Sequence, residues 1–99
     1  MLDNSWATPF YFSPIDIGID VSILAATKYI SGHADTMLGL ITVKNEKLFL
    51  KIKDTAVNLG DSPGPQECYL SLRGLRTLST RLEQHRSNAL KIARLLESN

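Results

Sequence analysis

Ile19-Asp20-Val21-Ser22-Ile23-Leu24-Ala25-Ala26-Thr27-Lys28-Tyr29 is the stretch whose reading decides the fold. Ile19, Val21 and Ile23 alternate with Gly18, Asp20 and Ser22, a period of two that predicts a strand running into Ala25-Ala26-Thr27-Lys28-Tyr29. Downstream, Met37-Leu38-Gly39-Leu40-Ile41-Thr42-Val43 is a nearly continuous apolar run, which predicts a second strand covered on both faces. The short polar segment Ser31-Gly32-His33-Ala34-Asp35 separates the two and reads as a loop.

Upstream, Met1-Leu2-Asp3-Asn4-Ser5-Trp6-Ala7-Thr8-Pro9 is polar and turn-forming, with only a trace of an apolar strand before it. Pro9 and Pro14 flank Phe10-Tyr11-Phe12, which reads as a loop with buried rings. Lys44-Asn45-Glu46-Lys47 admits a hairpin turn followed by a strand through Leu48, Leu50 and Ile52. The same residues admit a helix, with Leu48, Phe49, Ile52, Ala56 and Leu59 near helical spacing and Gly60 as its cap. The helix is the preferred reading. Asp61-Ser62-Pro63-Gly64-Pro65 is the clearest breaker. Beyond it, Leu75, Leu78, Leu82, Ala89, Ile92, Ala93 and Leu96 mark one apolar face of a long amphipathic helix over about residues 66–97, with Gly74 a weak point near its start. The fold class is therefore mixed α/β.

Composition narrows the function classes. The 99 residues amount to one modest domain or part of a larger one. Eleven basic residues against ten acidic ones leave a net charge of +1, too small a field to draw nucleic acid or a membrane surface. The single Cys68 cannot form an internal disulfide, and no signal-peptide core or bilayer-length apolar run is present, so a cytoplasmic location is expected. Two histidines and one cysteine without clustered spacing argue against a metal site.

Chemistry concentrates at Asp3, Thr27 and Lys28, with His33 and Asp35 close behind. A lysine after an apolar strand can sit at a sheet edge, where burial leaves a neutral amine to act as nucleophile. Thr27 offers a hydroxyl to an anion, and an aspartate on a second loop can face a positive ring nitrogen. Those three demands match how a protein grips pyridoxal phosphate (PLP). Taken alone, such a lysine is ordinarily a solvated loop residue, an Asp-Asn pair is turn chemistry, and His33 is a loop hydrogen-bonding residue. Arg73, Arg76, Arg81 and Arg86 read most simply as the solvated side of a helix.

Three segments change that balance: Asp3-Asn4-Ser5-Trp6-Ala7-Thr8-Pro9, Ala25-Ala26-Thr27-Lys28-Tyr29-Ile30-Ser31-Gly32-His33-Ala34-Asp35, and Leu72-Arg73-Gly74-Leu75-Arg76-Thr77-Leu78, trailed by Arg81, His85, Asn88 and Ala89. In this order they resemble the Cys/Met-metabolism family of PLP-dependent enzymes across nearly the whole chain. Trp6 in its Asp-Asn-x-Trp-Ala context and Ala25, where γ-synthases and γ-lyases usually carry serine, resemble the cystathionine β-lyase branch.

The resemblance implies part of the large cofactor-binding domain of a fold-type I, aspartate aminotransferase-like enzyme with a long C-terminal helix. It implies a carbon–sulfur lyase of transsulfuration, converting cystathionine to homocysteine, pyruvate and ammonia. Lys28 would hold the cofactor as an imine and then act as the base that removes the substrate α-proton. Asp3 would keep the pyridine nitrogen protonated, Thr27 would hold the phosphate, and Ser5 would lie close to the ring. The partners implied are a small sulfur amino-acid substrate and further copies in a homotetramer. Family members are several times longer, so residues 1–99 are expected to be truncated at both ends and inactive alone, with the missing segments supplied by another chain. A non-catalytic remnant of a split or decayed gene, or a γ-lyase or γ-synthase relative, are the alternatives.

Overall fold

The computed structural model describes residues 1–98. Strand β1 (Leu2–Asp3) is followed by a short helix α1 (Thr8–Tyr11) and a 3-10 turn over Pro14–Ile17. Strands β2 (Val21–Ala25) and β3 (Gly39–Val43) come next, then helices α2 (Glu46–Leu59), α3 (Pro65–Leu75) and α4 (Leu78–Glu97). The three strands form one sheet in the order β1-β2-β3. β1 runs parallel to β2, with Asp3 opposite Ile23; β2 and β3 are antiparallel, with Ala25 opposite Gly39. Among the described residues no helix is long and apolar enough to cross a membrane.

The predicted strand over Ile19–Ala25 is present as β2, where Ser22 and Leu24 are buried and the alternate residues are half-buried. The preferred helix after Asn45 is present as α2. Asn45 caps it by accepting the Leu48 N–H at 3.0 Å, and Gly60 closes it with its N–H on Ala56 and Val57 carbonyls.

Three expectations need correction. The apolar run through β3 is not covered on both faces: Leu40 is 42% exposed and Ile41 55%, and α2, the helix that follows, buries none of its residues against it. Phe10-Tyr11-Phe12 is not a loop with buried rings. Phe10 and Tyr11 lie in α1, roughly half-exposed and packed edge to face on each other with ring centroids 4.9 Å apart.

The single helix over 66–97 is in fact two helices broken at Arg76-Thr77. Gly74 is the reason. A Cβ there would lie 2.3 Å from the Ile30 carbonyl oxygen and 2.2 Å from that of Ser31, so α3 meets the loop after β2 backbone to backbone. The Gly74 carbonyl turns to accept from the Thr77 N–H at 3.1 Å and the Thr77 hydroxyl at 3.2 Å, which ends α3 and redirects the chain into α4.

That break places Leu78 and Leu82 beneath the loop, where with Leu24, Ala26 and Ile30 they form the buried apolar cluster, flanked by Tyr29 and Leu38. Burying each of the four larger side chains contributes about 1.5–3 kcal/mol. The rest of the molecule is spread around this small core: its radius of gyration is 16.0 Å, against the roughly 13 Å of a compact chain of this length.

Replacing Gly74 by alanine adds helix propensity, a gain of about 1 kcal/mol, but drives a methyl group into two backbone carbonyls that cannot move independently. The expected net effect is a loss of about 1–3 kcal/mol, read as a lowered urea midpoint. Gly39→Ala, at a site with nothing within 4 Å of the new carbon, is expected to leave the midpoint within about 0.5 kcal/mol of the parent.

Candidate functional site

Parallel strands β1 and β2 end at the same sheet edge, where the carboxyl ends of strands in α/β sheets commonly present ligand sites. Past that edge β2 runs into a tight turn. Lys28 N–H donates to Ala25 O at 3.0 Å, Ser31 N–H to Ala26 O at 2.9 Å, and Gly32 N–H to Lys28 O at 2.9 Å. The buried Ser31 hydroxyl donates to Thr27 O at 2.9 Å, tying the turn from inside. The Lys28 backbone is thus fixed through both its N–H and its carbonyl. Its side chain is exposed, and its amine makes no hydrogen bond or ion pair among the described residues.

Lys28 opens onto a cleft of about 620 Å³ lined also by Ser5, Trp6 and Thr27 from the sheet edge and by Arg81 and His85 from α4. Three of the residues singled out from the sequence, Ser5, Thr27 and Lys28, therefore share one cleft. Asp3 joins them through Ser5. Ser5 Oγ accepts the Ala25 N–H at 2.7 Å, bridging the ends of β1 and β2, and the Ser5 N–H donates to Asp3 Oδ1 at 2.8 Å. The Ser5 hydroxyl first, and its backbone N–H second, hold the Asp3 carboxyl below the ordinary 3.8 against a weak opposing desolvation. Asp3 is thus kept ionised at the surface.

Thr27 Oγ1 accepts the Leu38 N–H at 2.9 Å and donates to Leu38 O at 3.4 Å, while the Thr27 N–H reaches the same carbonyl at 3.1 Å. His33 and Asp35 turn to other work. His33 Nδ1 lies 2.5 Å from Ser31 O, and since a carbonyl only accepts, this nitrogen carries the proton. Asp35 forms an ion pair with Arg73 of α3.

Of the arginines expected on the solvated side of a helix, Arg73 is there, exposed and paired with Asp35 at the surface, whereas Arg81 is turned inward to backbone carbonyls. Arg73 holds Asp35. Arg81 reaches from α4 to the Lys28 turn: Nη1 donates to Tyr29 O at 2.8 Å, and Nη2 to Ile30 O at 3.1 Å and Gly74 O at 2.7 Å. His85 lies against Tyr29 with ring centroids 5.8 Å apart. The sequence held one signal for Arg81: none of Thr77, Leu78, Gln84 and His85, its neighbours three and four residues away, is acidic, so its helix offers it no ion-pair partner.

The family model described as "Cys/Met metabolism PLP-dependent enzyme" matches residues 1–99. The putative cystathionine beta-lyase of Rhizobium johnstonii is 48% identical over 97 residues, covering 98% of this chain and 24% of the relative. The L-alanine/L-glutamate racemase of Wolbachia pipientis wMel is 43% identical over 97 residues, with the same two coverages of 98% and 24%. A crystal structure of cystathionine gamma synthase from Xanthomonas oryzae pv. oryzae, in complex with aminoacrylate and cysteine, superposes with a TM-score of 0.95 at 38% identity, covering 98% of this chain and 25% of that one. The chain spans about a quarter of the length of the relatives it matches.

The Asp3–Ser5 contact is open to titration. Because the folded carboxyl sits below its ordinary value, the contribution of the contact is fully present above that value and is lost as pH falls through the folded one. Ser5→Ala removes the hydroxyl and is expected to move the Asp3 titration upward, toward the ordinary 3.8, in a side-chain carboxyl NMR titration.

Proposed function

The chain belongs to the Cys/Met metabolism PLP-dependent enzyme family, and we propose that it carries the lysine segment of a carbon–sulfur lyase acting on sulfur amino acids, of the cystathionine β-lyase kind. The observation that carries this reading is the shared edge of β1 and β2, where Ser5 links Asp3 to the strand that leads into the Lys28 turn.

The donor set fits pyridoxal phosphate. A primary amine on a fixed backbone suits the aldehyde, an ionised carboxylate suits the ring nitrogen, and a hydroxyl suits the phosphate. Thr27 can serve without cost to the fold. Leu38 O already accepts the Thr27 N–H at 3.1 Å, so the hydroxyl proton, now on a long 3.4 Å contact, is free to turn toward an anion. The same oxygen keeps accepting the Leu38 N–H meanwhile.

Bound PLP supplies an electron sink for the charge that develops on the substrate α-carbon. Lys28 accepts the α-proton on Nζ and can return it, a step worth about 10²–10⁴ in rate. Asp3 holds a proton on the ring nitrogen by remaining ionised. Trp6, exposed on the cleft wall, gives the substrate an apolar surface. The large uncovered faces of α2 and of the C-terminal half of α4 support the reading that the remaining walls of the site, including those that exclude water, come from outside these residues.

The similar proteins carry names for a β-lyase, a γ-synthase and a racemase. A lysine that takes and returns an α-proton serves all three, so the choice among them rests on other groups. Ala25 and the Trp6 context favour the β-lyase; the γ-lyase and γ-synthase reactions are the alternative reading.

Adding PLP to the chain is expected to produce a visible absorbance that borohydride fixes as a stable adduct on Lys28, found by peptide mass spectrometry. Lys28→Ala is expected to give neither, and identical spectra from the two would sink the cofactor reading. With the complete site assembled, cystathionine is expected to release pyruvate; 2-oxobutanoate would instead indicate γ-cleavage, and D-amino acids racemisation.

A further inference from the structure

We propose that Arg81 is the positioning residue of the Lys28 turn, aiming the lysine into the cleft by binding the two carbonyls that the turn leaves open. The proposal rests on the reading of Lys28 as the cofactor lysine. A complete account of the carbonyls from Ala25 to Ser31 leads to it. Ala25, Ala26 and Lys28 accept backbone N–H groups, Thr27 accepts the Ser31 hydroxyl, and Ser31 accepts from His33. Tyr29 and Ile30 accept from Arg81, 52 and 51 residues away in sequence. Tightly wound turns leave their last carbonyls without internal donors, and such groups need partners when buried. Ile30 is 4% exposed, so water does not readily replace the guanidinium there.

The guanidinium itself is aimed. Its Nε donates to Thr77 Oγ1 at 3.0 Å and its Nη2 also binds Gly74 O at 2.7 Å, so the break between α3 and α4 fixes the fork before it reaches the turn. Gly32 leaves the room: a Cβ at that position would lie 2.1 Å from Arg81 Nη1. No carboxylate pairs with Arg81 among the described residues, so what it supplies is directional donors along two edges of a plane. A lysine keeps the charge but is a compact point donor on a different stem, and cannot span three carbonyls and a hydroxyl at once. Charge and geometry are therefore separable by one substitution.

Arg81→Lys is compared with the parent chain and with Arg94→Lys, an exposed change on the same helix. Amide hydrogen exchange at Ser31 and Gly32 reports the turn directly. Borohydride trapping of added PLP, read as the ratio of adduct on Lys28 to adduct on the exposed Lys91, reports the aim of the amine. In that trapping the amine and aldehyde condense with loss of water, and hydride then reduces the C=N bond to a secondary amine. Arg81→Lys is expected to speed exchange at both amides and to cut the labelling ratio, each by about tenfold, with the helical circular dichroism kept; Arg94→Lys is expected to change neither.

Unchanged exchange at Ser31 and Gly32 overturns the proposal whether or not PLP prefers Lys28, and so does a labelling ratio that survives Arg81→Lys. If the parent chain shows no preference for Lys28, the cofactor reading fails by itself, and exchange still decides whether Arg81 sets the turn. Should Arg81→Lys lose its helical signal, Thr77→Ala takes its place. It keeps the arginine and removes the hydroxyl that orients Nε, which also donates to Gly74 O, and with helical circular dichroism kept a shift of about threefold in the same two readouts is expected; no shift overturns the proposal.

Discussion

The need of a buried carbonyl for a donor is the constraint on which the rest of this structure depends. The chain leaving β2 winds so tightly that Tyr29 O and Ile30 O face away from every backbone N–H in their own turn. One guanidinium answers both, and it comes from α4. To deliver it, α3 must end just past Gly74, whose missing side chain lets two backbones meet, and α4 must start at Leu78 on a new course. The same course sets Leu78 and Leu82 under Ala26 and Ile30. Polar satisfaction and apolar burial thus select one geometry, and the two are mutually supporting in the way expected of a sequence with a single native state.

This dependence explains what could be read in the sequence. Features set by neighbours in the chain were legible: the alternation of β2, the glycine that closes α2, and the polar loop over Ser31–Asp35. Features set by residues far along the chain were not. The periodicity from Leu75 to Leu96 continues straight through Thr77, because Leu78 and Leu82 are apolar on the same face whether or not the helix breaks. Only the approach of Ile30 O and Ser31 O to Gly74 forces the break, and that approach spans more than forty residues of sequence. β3 misled for a related reason. An apolar strand reads the same whether its cover lies within these residues or not, and here Leu40 and Ile41 stand half-open.

The candidate site divides along the same line. No pattern distinguished Lys28 from an ordinary loop lysine; the resemblance of its surrounding segments did. Thr27 and Ser5 then fell into the same cleft, while His33 and Asp35, equally polar and equally close in sequence, are spent on holding the loop to itself and to α3. Arg81 was visible in the sequence as a helix charge without an acidic neighbour and as part of the family resemblance, but nothing in its spacing pointed to the two distant carbonyls that it serves.

The two anchored charges near the cleft are held by opposite means, and that contrast bears on what the site can do. Asp3 stands in water and keeps its charge through hydrogen bonds from Ser5, so its ionisation depends little on the cleft being closed. Arg81 has no anion beside it among the described residues and is held by neutral carbonyls, so its position depends on the turn and the turn depends on it. Between them the Lys28 amine is an unengaged head on a fixed backbone. A lysine whose main chain is bound on both sides while its amine stays open has its rigidity in the backbone, which sets the direction of the side chain; under the proposed function that is the direction of an incoming aldehyde.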